Sequence, residues 1–190
     1  MNTPRLTQRN SVVLVIDIQE KLLAAMPTAS ALLRDAGFLL DVAKVLSMPV
    51  MATEQYPQGL GGTHPEIAKR IGEDRPSKLA FSCCGAPGLL TELKKLERPN
   101  VVLLGMETHV CVLQTALDLL ADGLQIFLPV DGLASRFPLD HQTALRRMEA
   151  AGGIPTTVES IAFEWMGGAD HPQFKVVSKL VRERDHLLRG

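Results

Sequence analysis

No single charge dominates this 190-residue chain, in which 20 Lys and Arg stand against 21 Asp and Glu for a formal net charge of −1. No Lys/Arg cluster forms a stripe, so the sequence offers no footprint for nucleic acid or an anionic membrane surface, and a small neutral or weakly charged ligand is the default partner. It also lacks an apolar run of membrane-spanning length. Met1 to Asn10 is polar and has no signal-peptide core, which predicts a cytoplasmic protein without a membrane anchor. Cysteine is sparse: of the three, Cys83 and Cys84 are adjacent, a poor disulfide framework that fits a reducing compartment. There is no repeat, low-complexity tract or linker. With 46% hydrophobic and 22% charged residues, 1–190 reads as one domain with a sizeable core.

Hydrophobic patterning alternates between strand and helix. Val12 to Ile16 is a continuous aliphatic run ending at Asp17, the mark of a strand buried on both faces. Ala29 to Leu46 carries apolar residues at helical spacing, Pro49 to Thr53 reads as a strand, Pro65 to Ile71 as a helix entered at Thr63 or His64, and Lys78 to Phe81 as a short strand. Gly88 to Leu96 is helical. Val101 to Leu104 is a second buried strand, and the helix after it stops at Gly123. Leu124 to Val130 (strand), His141 to Ala151 (helix), Thr156 to Val158 (strand), Ile161 to Trp165 (helix) and Pro172 to Leu187 (helix) complete the pattern. Such alternation dictates an α/β architecture in three layers, a mostly parallel sheet with helices on both faces.

In a parallel sheet, sites form at the carboxyl ends of the strands. Cys111 falls where the Val101 strand hands over to a helix, in Gly105-Met106-Glu107-Thr108-His109-Val110-Cys111-Val112-Leu113-Gln114-Thr115-Ala116. At a helix start, unpaired N–H groups and the positive end of the helix dipole favour thiolate, so the position predicts a reactive cysteine. Asp17 ends the first strand and Lys78 opens another. Taken singly, these three read more readily as a packing residue, a helix cap or turn former and a surface lysine.

Together they form a pattern. With Val15-Ile16-Asp17-Ile18-Gln19, Lys78-Leu79-Ala80-Phe81-Ser82 and the Gly105–Ala116 segment in this order, the chain resembles the isochorismatase-like cysteine hydrolases from Val12 to about Phe163. Asp131-Gly132-Leu133-Ala134-Ser135-Arg136 is similar to that family's strand-end segment and is read as structural support. The resemblance implies a catalytic triad of Asp17, Lys78 and Cys111, with Asp17 taking the thiol proton and Lys78 stabilising both anions. It further implies a thioester formed from a small amide or related carbonyl substrate, and homo-oligomerisation. It implies a non-proline cis peptide between Met106 and Glu107, with the Glu107 and Cys111 amides forming an oxyanion hole. Gln19, Tyr56, Phe81 and Phe137 are expected to line the substrate pocket. Nicotinamidases of the superfamily carry an Asp-x-His metal motif where this chain has Glu54-Gln55-Tyr56, so neither a metal nor another cofactor is expected. Gly59-Leu60-Gly61-Gly62-Thr63 lacks the third glycine of a dinucleotide loop. The rival expectation is a non-catalytic oligomeric scaffold that keeps the hydrolase fold.

Overall fold

The computed structural model describes residues 5–189, with side chains through Leu187. Its centre is a seven-stranded sheet in which every pairing is parallel. The strands are β1 (Ser11–Ile16), β2 (Val50–Gln55), β3 (Ser77–Lys78), β4 (Asn100–Met106), β5 (Gln125–Pro129), β6 (Leu133–Ala134) and β7 (Ile154–Thr156). They run in the order β3-β2-β1-β4-β5-β7, and the short β6 pairs with the end of β4.

The two aliphatic runs identified in the sequence are the central neighbours β1 and β4, and their side chains divide between two cores as the strand period requires. Val13 and Val15 of β1 join Val102, Leu104 and Met106 of β4 on one face. There they meet α2 (Ala29–Val45), α8 (Val158–Met166) and α9 (Phe174–Arg189). Val12, Leu14 and Ile16 join Val101 and Leu103 on the other face, under α5 (Leu89–Lys95) and α6 (Leu113–Ala121). This is the three-layer α/β/α arrangement.

Several expected elements shift. The Lys78 to Phe81 strand reduces to Ser77–Lys78, because the chain then turns inward and the Ala80 and Phe81 carbonyls accept from Lys78 Nζ instead of extending the ladder. The last strand lies at Ile154–Thr156 rather than Thr156 to Val158, since Thr157 is the cap of α8, its Oγ1 accepting from the Ser160 N–H. The Pro65 to Ile71 helix closes early as α4 (Pro65–Ala68), with His64 Nδ1 capping the Glu66 N–H. The short helices α1 (Glu20–Ala24) and α3 (Pro57–Leu60), and the strand β6, have too few residues to show a period. Helix α7 (Pro138–Ala150) begins at a proline, earlier than its apolar pattern indicated.

One close approach fixes the geometry below. Gly105 pairs with Ile16 at φ +135°, and a Cβ there would lie 2.1 Å from the Ile16 carbonyl oxygen. Only glycine lets β4 come this near β1 where both strands end.

Candidate active site

Asp17, Lys78 and Cys111 leave the carboxyl ends of β1, β3 and β4 and are almost sealed from solvent, at 0%, 3% and 6% exposure. Asp17 turns out of β1 at φ +52°, a left-handed conformation that Asp tolerates better than most residues. Its backbone N–H donates to the Thr53 carbonyl (3.3 Å). Its Oδ2 accepts from Lys78 Nζ at 2.7 Å and its Oδ1 from the Thr53 hydroxyl at 2.8 Å. Lys78 Nζ also donates to Gln55 Oε1 (2.6 Å) and the Phe81 carbonyl (2.9 Å), so a buried ammonium is compensated by a carboxylate and neutral acceptors.

Beyond β4, the Met106–Glu107 peptide is cis, and residues Thr108–Val112 form one wide π-helical turn before α6. Cys111 sits in that turn, and the N–H groups of Val110 and Val112 donate to the Glu107 carbonyl (3.0 and 3.2 Å). The Glu107 side chain is buried; Arg136 Nε donates to its Oε1, and its Oε2 lies 3.2 Å from His109 Nδ1. His109 also meets Ser135 Oγ at 3.0 Å, while Thr108 Oγ1 meets His141 Nδ1 at 2.9 Å. The Asp131–Arg136 segment thus braces the turn carrying Cys111.

The Cys111 thiol departs from the sequence expectation. Burial, and then the negative charge of Asp17, push it up to about 12, with Lys78 opposing. Desolvation outweighs the helix-start effect, and the resting group is a thiol rather than a thiolate.

The four expected pocket residues separate into two kinds. Gln19 is fully buried: its Nε2 donates to the carbonyls of Gln55 (3.0 Å) and Gly61 (2.6 Å), and its Oε1 accepts from the Gln55 N–H (2.7 Å). With its amide saturated by backbone, it clamps the end of β1 to the end of β2. Tyr56, Phe81 and Phe137 follow β2, β3 and β6 and are 49%, 53% and 60% exposed. They stand at the rim of the sheet's carboxyl edge, outside the packed core. A groove of about 300 Å³ runs past Ser135 and His141 on the same edge, and none of the triad lines it.

Sequence reasoning did not assign three neighbours of Asp17 and Lys78 to the site: Thr53, Gln55 and Cys83. Cys83 is fully buried, its Sγ 3.2 Å from Thr53 Oγ1, and burial pushes its thiol up to about 12. Thr53 carried one signal, as a polar residue within the expected strand; Gln55 lies two residues beyond that strand's expected end, and β2 extends to include it. Glu54, at the start of the segment aligned with the nicotinamidase metal motif, accepts from the Thr63 N–H (2.9 Å) and hydroxyl (2.7 Å) and pairs with Arg75 (3.5 Å). Among the described residues, no cluster of three or more His, Cys, Asp or Glu side chains is arranged to hold a metal ion.

A mostly parallel sheet between two helical layers is the fold that solved isochorismatase-like hydrolases share. The match to known proteins agrees: residues 11–160 match the isochorismatase domain, and the chain belongs to that family. Isochorismatase domain-containing protein 2 of Bos taurus is 41% identical over 180 residues, covering 94% of this chain and 86% of that one. Among solved structures, the MAR1 ribonuclease from Caenorhabditis elegans is 42% identical with a TM-score of 0.88, covering 94% of this chain and 92% of that one. The Escherichia coli YcaC gene product, described as an octameric hydrolase of unknown specificity, shares the fold at 22% identity and TM-score 0.86, covering 100% of this chain and 97% of that one. Among the described residues no helix is long and apolar enough to cross a membrane.

Proposed function

We propose that this chain is a cysteine-dependent hydrolase of small amides or related carbonyl compounds, acting through a thioester on Cys111. The observation that carries the reading is the sealed Lys78–Asp17 ion pair beside a buried thiol, which has no evident purpose in stability, since buried pairs rarely outperform apolar packing. Because Cys111 rests as the thiol, attack requires a base at hand. Asp17 takes the thiol proton while the sulfur bonds to the substrate carbonyl carbon, and the carbonyl electrons move onto oxygen. The N–H groups of Glu107 and Cys111 meet that oxyanion. Collapse breaks the C–N bond, and the proton on Asp17 passes to the leaving amine. Water then gives a proton to Asp17 as it attacks the thioester, releasing the acid and returning the thiol. The Lys78 ammonium holds the Asp17 carboxylate in place and lowers the cost of the transient thiolate.

The protein acts in the cytoplasm in this reading, its three cysteines unpaired, and needs neither metal nor cofactor. It works as a homo-oligomer. Tyr56, Leu79, Phe81, Phe137 and Leu139, all exposed after strands β2, β3 and β6, supply an apolar face around the site for a second copy to cover. The name of the C. elegans relative brings RNA in as a second substrate class. Near-neutral charge and a nearly sealed thiol favour the small carbonyl compound. A screen of small amides, with RNA in parallel and Cys111→Ala as control, tests the assignment. Amide turnover that disappears in Cys111→Ala is expected. RNA cleavage that survives the substitution would replace it, and inertness toward every compound would favour the scaffold reading.

A further inference from the structure

The buried thiol that this mechanism leaves idle, Cys83, is joined to the proposed base through a single hydroxyl. Thr53 Oγ1 lies 2.8 Å from Asp17 Oδ1 and 3.2 Å from Cys83 Sγ. A threonine hydroxyl has one proton, and an ionised carboxylate only accepts. The Thr53 proton is therefore committed to Asp17, and the Cys83 S–H is the donor to Thr53. Burial holds that thiol protonated, so the donor is permanent. Cys83 is fixed in turn, its N–H donating to Thr115 Oγ1 (2.9 Å), whose own hydroxyl donates to the Cys111 carbonyl (2.6 Å). One hydrogen-bonded chain thus runs from the base, through β2 and the turn after β3, to the helix start that carries the nucleophile.

We propose that Thr53 and Cys83 are positioning residues for the Asp17 base, setting the plane of its carboxylate relative to Cys111; this rests on the cysteine-hydrolase reading above. With Lys78 Nζ holding Oδ2 and Thr53 holding Oδ1, the carboxylate cannot rotate. Without the hydroxyl, Oδ1 loses a buried donor and one of the two contacts that fix the carboxylate plane. Lys78, Cys111 and Cys83 are titratable side chains that face Asp17, and of these Lys78 carries the positive charge.

The full-length protein can be tested with p-nitrophenyl acetate, following p-nitrophenolate release against pH and mapping the acetyl group by mass spectrometry. In the wild type the acetyl group is expected on Cys111. Thr53→Val should slow acetylation by roughly tenfold at neutral pH and move the acid limb of the rate profile upward by about half a unit or more. Thr53→Ser should restore both within a few-fold. Cys83→Ala should move the limb in the same direction by less, and it keeps the test decisive if Thr53→Val does not fold. Wild-type rates and limbs in both Thr53→Val and Cys83→Ala would overturn the positioning role while leaving the nucleophile assignment standing, provided Cys111→Ala stays unacetylated. A wild-type protein acetylated elsewhere than at Cys111 would instead defeat the hydrolase reading first, and this one with it.

Discussion

Lys78 Nζ and Asp17 Oδ2 lie 2.7 Å apart with both side chains fully shielded from solvent, 61 residues apart in the sequence. A shielded pair of this kind is costly to break and inexpensive to remove whole. Lys78→Met alone leaves an unpaired buried carboxylate and should lower the unfolding free energy by about 3–5 kcal/mol. Adding Asp17→Asn should recover at least half of that loss in urea titrations while activity remains absent. Additive losses in the double variant would mean that the two charges are not coupled.

Gly105→Ala should destabilise the fold by about 3 kcal/mol or more, since the added methyl would collide with the Ile16 carbonyl and φ +135° suits no side chain. Thermal unfolding measures it. A melting temperature within a few degrees of wild type would show that β1 and β4 separate more readily than their register implies.

Both buried thiols give the protein an alkaline liability. Cys83 and Cys111 are each pushed from an ordinary 9.0 to about 12, so above pH 9 the unfolded chain releases protons that the folded state retains. Their stabilising contribution is complete below that pH and is lost as pH rises toward the folded values. Each thiol should add a slope of about 1.4 kcal/mol per pH unit. Cys83→Ala should flatten the stability profile above pH 9 by one thiol's share; an unchanged slope would show that Cys83 ionises freely in the folded protein.

Helix α9 lies beyond the 11–160 family match, yet its Arg184 pairs with Asp35 (2.7 Å), Asp131 (3.0 Å) and Glu159 (3.2 Å). Asp131 opens the segment whose Arg136 grips Glu107, and its Oδ1 accepts from the Val158 N–H (2.9 Å). Arg184→Ala should lower stability by roughly 1–3 kcal/mol in urea titrations. No change would mark the three pairs as ordinary surface contacts.

What the sequence revealed follows from range. Val12–Ile16 and Val101–Leu104 announce buried strands because four or five apolar residues in succession leave no solvent face, and the chemical residue just past each strand end then stands out. The hydrogen-bonded shell of the triad was hidden, because Thr53 reaches Asp17 across 36 residues and Cys83 reaches Thr53 across 30, with no local spacing to betray either. The contacts of Gln19 were hidden for a related reason: its partners are Gln55, at the end of β2, and Gly61, in a loop whose path no periodicity describes. The thiol's protonation was also misjudged, because a helix start is a local feature and burial is a property of the whole fold.

The central claim, that Asp17 activates Cys111, is tested most directly by the rate at which iodoacetamide alkylates each cysteine at neutral pH, read by peptide mass spectrometry in the wild type and in Asp17→Asn. Cys111 should be carboxamidomethylated far faster than the half-buried Cys84, with Cys83 untouched, and Asp17→Asn should slow Cys111 by about a hundredfold or more. Cys111 reacting no faster than Cys84, or reacting equally well without the Asp17 carboxylate, would contradict the account.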